Sequence, residues 1–277
     1  MITILVFLAL AAAITLLAFR FRHAVRGIWQ AHEQLKKELN NLQLQHIQEY
    51  RETYGELAGL IMKRDAKVPF HAQHGEDIFL WNHFGRKADG YFIEVGAHDG
   101  VSLSNTYAFE AIGWKGLLVE ANPDVAELCR KNRPESIVAH TAVGAPGQAD
   151  RIVFHTVSGD EGDEMLSFVN PDDADIERCT RAGKSIRKVE VPFKTMDSIL
   201  DELSPEQIDF VTIDVEGGEM DVLKGFDLAR FEPKVVMLEN NTGHADYPVS
   251  RYMERQGYQR FHHIGCNEFY CREQREQ

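Results

Sequence analysis

The chain has 277 residues and a formal net charge of −13, with 44% hydrophobic and 26% charged residues. So acidic a surface argues against a nucleic-acid partner, because a phosphate backbone needs a basic face; it also disfavours anionic lipid except where charge is local. Cys129, Cys179, Cys266 and Cys271 lack CxxC spacing, which speaks against a disulfide scaffold or zinc site and for free thiols, with a Cys266–Cys271 pair on one hairpin as the alternative.

Residues 2–19 form an apolar run interrupted only by Thr3 and Thr15. At a rise of ~1.5 Å per residue such a run just spans a hydrocarbon core. Nothing basic precedes it, whereas Arg20, Arg22 and Arg26 follow. It therefore reads as a retained anchor rather than a cleaved signal peptide, with the C-terminal side in the cytoplasm. We expect a transmembrane anchor over 1–20 and a helical stalk over 21–65. Leu35, Leu39 and Leu42, then Ile47, Tyr50, Tyr54, Leu57 and Ile61, follow helical steps with one break in phase. Two readings fit: a stalk that makes a homodimer, or an amphipathic helix packed on its own domain.

Residues 66–277 suffice for one domain with a full core. Tyr91–Val95 reads as a strand running into Gly96-Ala97-His98-Asp99-Gly100, with a helix starting near Ser102 or Ser104. Gly116–Glu120 is the next strand, followed by a helix from Pro123 to about Lys131 and a strand over Ser136–His140. Ile152–Val157 and Val189–Phe193 are expected as strands flanking an insert over 158–188, which is either a substrate lid or plain surface disorder. Strands over Ile208–Ile213 and Lys234–Leu238 end at Asp214 and Glu239, and Gly257–His262 with Glu268–Arg272 closes the chain as a hairpin. Strand–helix alternation implies a mostly parallel sheet, whose ligands sit at the carboxyl ends of strands. That edge carries Gly96, Glu120, Asp214 and Glu239.

Glu94-x-Gly96-x-x-x-Gly100 follows a strand and precedes a helix. A dinucleotide fingerprint needs G-x-G-x-x-G so that pyrophosphate can reach a helix N-terminus, and His98 stands where its middle glycine belongs. An NAD-linked oxidoreductase is therefore disfavoured. A cofactor without phosphate needs no such opening, and Glu120 suits a carboxylate accepting both ribose hydroxyls. These features point to S-adenosylmethionine.

Over roughly residues 70–272 the sequence resembles the FkbM-type methyltransferase family. The resemblance is carried by Gln73-His74-Gly75-Glu76-Asp77, by Phe92 through Gly100, and by Gly113-Trp114-Lys115-Gly116 leading to Glu120-Ala121-Asn122-Pro123. The last block is Ile208-Asp209-Phe210 through Asp214-Val215-Glu216-Gly217-Gly218-Glu219. His98 departs from the asparagine common in that family. The resemblance implies a Rossmann-like class I methyltransferase fold, an α/β domain with a seven-stranded mostly parallel sheet and helices on both faces. It also implies O-methylation as the usual reaction, with acceptors ranging over small molecules and glycans.

Candidate cofactor-binding residues are Glu94, Gly96, Ala97, Gly100 and Asn105 toward the methionine portion, Glu120 at the ribose, and Ala142 and Val143 at the adenine, with Gln73 and Asp77 closing the site. Asp214, Glu216 and Glu239 are candidate catalytic residues, one of them a general base; alternatively they only cap helices and shape the loop. A divalent cation on Asp214, Glu239 and Asn240 is a lesser alternative, and no metal is expected. His98 and His244 are candidates for contact near the site. Adjacent strand residues such as His262 and His263 point to opposite faces and rarely share an ion, and Tyr91 and Trp114 read as packing residues. The methyl acceptor is expected to be a hydroxyl or carboxyl on a small molecule, glycan or lipid-linked compound, and the expected anchor points to a membrane-borne one. The competing function is a catalytically silent, membrane-tethered interaction module.

Overall fold

The computed structural model describes residues 2–159, 167–169, 173–241 and 248–272; the side chains of residues 2–19, 24, 168, 173–175 and 178 fall outside that description, as does His244. In chain order the elements are α1 Ile2–Ile61, α2 Glu76–His83, β1 Tyr91–Val95, α3 Tyr107–Ile112, β2 Lys115–Glu120, α4 Pro123–Asn132, β3 Ile137–His140, β4 Ala142–Val143 and β5 Arg151–Ser158. Then follow β6 Phe168–Val169, α5 Asp173–Arg181, β7 Ser185–Lys194, α6 Met196–Leu203, β8 Phe210–Ile213, α7 Glu219–Lys224, α8 Leu228–Phe231, β9 Val235–Glu239, α9 Pro248–Arg255, β10 Tyr258–Ile264 and β11 Asn267–Arg272.

The chain divides into two units, Met1–Tyr50 and Arg51–Gln277. The first consists of most of α1. The expected anchor lies on residues whose side chains are outside the description; among the described residues no helix is long and apolar enough to cross a membrane. The expected stalk boundary at residue 65 is not where the packing divides. The last turns of α1 belong to the second unit, where Ala58 is fully buried and the Val68 amide donates to the Gly55 carbonyl at 2.9 Å. Gly55 allows that approach, since a Cβ there would sit 2.6 Å from the Val68 oxygen.

The second unit is built on a seven-stranded sheet in the order β10-β11-β9-β8-β1-β2-β3. All neighbours pair in parallel except β11, which is antiparallel to both β9 and β10. This is a Rossmann-like arrangement, a mostly parallel seven-stranded sheet as expected. The inner strands β1, β8 and β9 are buried almost throughout, as parallel strands covered on both faces must be. One core joins Ile93, Val95, Val211, Ile213, Val236 and Leu238 to Ile199 and Leu200 of α6 and Val222 and Leu223 of α7.

Strand order reverses between β1 and β8. The chain builds outward through β2 and β3, then returns to build the other half. Such a switch point opens a crevice at the carboxyl ends of its two strands, and this crevice is where the site lies.

The two strands expected on either side of the 158–188 insert, β5 and β7, form a second sheet with β4 and β6 in the order β4-β7-β5-β6, and within the insert itself lie β6, α5 and the first residues of β7. Strands β5 and β7 pair antiparallel in continuous register from Arg151–Pro192 to Ser158–Ser185. Their inner residues Phe154 and Val191 pack on Ala142. Both strands were expected, over Ile152–Val157 and Val189–Phe193, but nothing local signals that they pair with each other across some 35 positions. Residues 160–166 and 170–172 of this insert lie outside the described residues.

Candidate functional site

A cavity of about 840 Å³ opens at the switch point. Its walls are the β1–α3 loop, the end of β2, the β3–β5 segment, the β8–α7 loop, the end of β9, and Ile152, Phe154 and Phe193 from the second sheet. The β1–α3 and β8–α7 loops touch closely. A Cβ on Gly96 would lie 1.8 Å from the Asp214 carbonyl oxygen, and Gly96 has φ +86, so only glycine fits here. Three other residues of the lining, His98, Leu103 and Glu216, hold positive φ without being glycine, the kind of local strain that gathers at functional loops.

Glu120 closes β2 with a fixed carboxylate. Oε2 accepts the His98 amide at 2.8 Å and Oε1 accepts the Asn122 amide at 2.7 Å. Each oxygen keeps a lone pair for a further donor, as a pair of vicinal hydroxyls would supply. Burial pushes this carboxyl above its ordinary range, against those two amides.

Glu94 also lines the cavity, but its oxygens are committed elsewhere. It accepts Ser104 Oγ at 2.9 Å, the Asn105 amide at 2.8 Å and Thr106 Oγ1 at 2.5 Å. It therefore shapes the loop that presents Asn105. The Asn105 side-chain oxygen is buried at the cavity without a hydrogen-bond partner, an acceptor suited to the ammonium of an amino acid.

Gln73, Ala97, Ala142 and Val143 line the cavity too; Gly100 and Asp77 do not. Gly100 serves packing beneath the loop, since a Cβ there would meet Arg133 Cγ at 2.6 Å and Cys129 Sγ at 2.9 Å. Asp77 is fully buried and accepts the amides of His71, Ala72 and Ile78 at 2.7, 3.0 and 2.8 Å. It holds the turn that delivers Gln73 to the site. Burial raises its carboxyl to about 7 against the pull of those amides.

Asp214, Glu216 and Glu239 all line the cavity. Asp214 is open to the cavity but crowded by protein on its other sides. Desolvation, then the charges of Glu239 and Glu216, raise its carboxyl well above the usual range. Glu219 fixes the loop from below by accepting the Val215 and Gly217 amides at 3.3 and 3.0 Å.

Among the described residues no cluster of three or more His, Cys, Asp or Glu could hold a metal, and the Asn240 amide donates to Glu268 Oε1 at 3.0 Å. His262 stacks on Phe79 with centroids 4.2 Å apart. Trp114 is buried against Phe109 and Phe210 and donates to the Lys87 carbonyl at 3.1 Å. All four cysteines are free.

The sequence reading missed two features. Arg133 is completely buried under the β1–α3 loop, 2.9 Å from Glu110 and 3.8 Å from Glu94, and donates to the Gly100 carbonyl at 2.9 Å and Thr106 Oγ1 at 3.1 Å. Arg133 follows α4 among ordinary surface charges, so no local pattern marks it. Ile152, Phe154 and Phe193 are the other omission; they add an apolar wall beside Ala142 and Val143.

The lining's charge decides what can bind. Six carboxylates (Glu94, Glu120, Asp214, Glu216, Asp221 and Glu239) line the cavity, with neither Lys nor Arg among its described residues. Pyrophosphate would be repelled, whereas a sulfonium with an ammonium group is complementary. A family model, "Methyltransferase FkbM domain", matches residues 94–260, more than half of the chain. The chain belongs to the FkbM methyltransferase family. Its cofactor is S-adenosylmethionine, and Asn105, the Gly96 loop, Glu120 and the apolar wall are the residues that fit it. No curated protein matches the chain.

Solved structures of similar fold include a TehB-like SAM-dependent methyltransferase from Corynebacterium glutamicum, at 10% identity, 82% of this chain, 98% of that chain and TM-score 0.38. A precorrin-6y C5,15-methyltransferase from Geobacter metallireducens aligns at 13% identity over 70% of this chain and 84% of that one, TM-score 0.37. An O-methyltransferase from Bacillus cereus in complex with SAH gives 12%, 79%, 91% and 0.35.

Proposed function

We propose that this S-adenosylmethionine-dependent methyltransferase methylates a hydroxyl oxygen of an uncharged acceptor, with the Asp214–Glu239 pair as general base. The pair itself carries the reading. An ordinary carboxylate is too weak a base to take a hydroxyl proton efficiently near neutral pH, whereas one raised by burial and a like-charged neighbour is better matched. The bound cofactor supplies an electrophilic methyl group. The protein's part is to hold the acceptor oxygen beside that methyl, exclude water and receive the hydroxyl proton on the carboxyl pair. A carboxylate acceptor is disfavoured because it would enter a cavity already lined by six acidic side chains.

The test is S-adenosylhomocysteine formation with a panel of neutral glycans, lipid-linked sugars and anionic analogues. Asp214→Asn or Glu239→Gln should lower kcat by roughly 10²–10⁴ while leaving cofactor affinity unchanged. Activity within a few fold of the parent, or a preference for anionic acceptors, would overturn the assignment.

We further propose that residues 2–19 tether the protein to a membrane, with the catalytic domain on the cytoplasmic side, as the arginines after the run favour. The acceptor is then membrane-borne. Alkaline washing of membranes should leave the full chain in the pellet, and lipid-linked acceptors should outcompete their soluble head groups. Release by the wash would remove the tether.

A further inference from the structure

We infer that residues 21–46 of α1 pair with the same residues of a second copy as a parallel, in-register two-stranded coiled coil. Within this stretch Phe21, Val25, Ile28, His32, Leu35, Leu39, Leu42 and His46 recur at alternating steps of four and three. That is the heptad seam of positions a and d, here with His32, Leu39 and His46 at a, and Ile28, Leu35 and Leu42 at d. It lasts three to four heptads, the length over which such a pattern carries a coiled coil. The seam stops where Glu49 takes the next d position, which accounts for the break in phase after Leu42.

The large seam residues lie open. Phe21 is 71% exposed, Ile28 70%, Leu35 65%, Leu39 56% and Leu42 63%. Single exposed leucines are ordinary, but an apolar stripe along one helix face is not. The occupant is a second copy because the seam is complementary to itself. In parallel register the flanking positions bring Ala31 opposite Lys36, Glu38 opposite Gln43, and Gln45 opposite Tyr50 of the other copy, with no like charges facing each other. An acidic or basic partner would leave a residue such as Lys36 or Glu38 mismatched.

The histidines set the orientation. A polar side chain at a is tolerated when it meets a polar partner across the seam, and it then specifies register and strand number. Parallel pairing puts His32 opposite His32 and His46 opposite His46. Antiparallel pairing would set His32 against Leu35 and His46 against Phe21. The Trp29 ring stands at the neighbouring position, its centroid 6.0 Å from that of His32, where it shields that layer.

The experiment uses the full chain in detergent micelles, with light scattering for the protein mass and copper-phenanthroline oxidation for proximity. The parent should have the mass of two chains. Leu35→Cys and Leu42→Cys should each cross-link to a dimer, whereas Lys37→Cys on the outer face should not, because thiols whose Cα atoms lie beyond ~7 Å cannot bridge. The double variant Leu35→Lys with Leu42→Lys should halve the mass without changing cofactor affinity.

A one-chain parent, a double variant that stays dimeric, or equal linking at Lys37 would each refute the coiled coil. Cross-linking that needs a mixture of His32→Cys and Leu35→Cys chains would refute the parallel register.

Discussion

Arg133→Met takes the cation out from under the cofactor loop while leaving a side chain of similar length against Phe92 and Tyr107, over whose rings the guanidinium lies at 5.5 and 5.6 Å. The Arg133 side chain is 0% exposed, and its partners Glu94 and Glu110 are 5% and 8% exposed. Deleting one member of so buried a set leaves uncompensated charge in the core, at a cost of ~3–5 kcal/mol. Glu94 has an escape, since burial already raises its carboxyl above the ordinary range despite Arg133, and a proton would neutralise it. The loss should therefore be smaller at pH 5 than at pH 8. Urea unfolding of the full chain in detergent, read through the buried Trp81 and Trp114, measures it at both pH values. A loss below ~1 kcal/mol, as for a surface ion pair, or one that ignores pH, would show that Arg133 does not hold the loop as described.

Gly96→Ala should abolish S-adenosylmethionine binding, because its Cβ meets the Asp214 backbone and a left-handed φ adds ~1–2 kcal/mol of strain; calorimetry retaining more than a tenth of the parent affinity would contradict the loop contact. Asp77, Glu94, Glu120, Asp214 and Glu219 all have carboxyls raised by burial. Between the ordinary carboxylate pKa of ~4 and the raised values the native state holds more protons than the unfolded one, so this stability is fully present below pH ~4 and is lost as pH rises. Asp77 places the upper end of its own window at about pH 7. Urea midpoints should thus fall from pH 5 to pH 7.5, and Asp77→Asn should flatten part of that slope; a midpoint rising over the interval would refute the desolvation account.

What the sequence disclosed followed from how far each signal reaches along the chain. Strands β1, β2, β8 and β9 and the closing hairpin were legible because each is a short apolar run ending in glycine, a carboxylate or a turn, and their parallel pairing was implied by the strand–helix alternation, whereas their order in the sheet was not. The helix after β1 was expected near Ser102 or Ser104 but begins at Tyr107. Asp99 and Glu94 take up the intervening amides instead, as when Asp99 accepts those of Val101 and Ser102. The β5–β7 sheet and the apolar wall it lends the cavity depend on a long-range pairing. Arg133 depends on three elements converging, which one sequence does not reveal. The residue types at the site were readable, but their division of labour was not. Glu94 and Asp77 bind the chain's own amides, while Glu120 and Asn105 retain capacity toward the cavity.

The most direct test of the account is calorimetric titration of the full chain with S-adenosylmethionine and S-adenosylhomocysteine, in parent and Glu120→Ala forms. Removing a carboxylate that accepts two hydroxyls should cost about 3 kcal/mol, a little over a hundredfold in Kd, for both ligands, with the variant still folded. Parent protein that is folded but binds neither ligand, or a Glu120→Ala variant that binds as tightly as the parent, would contradict the site described.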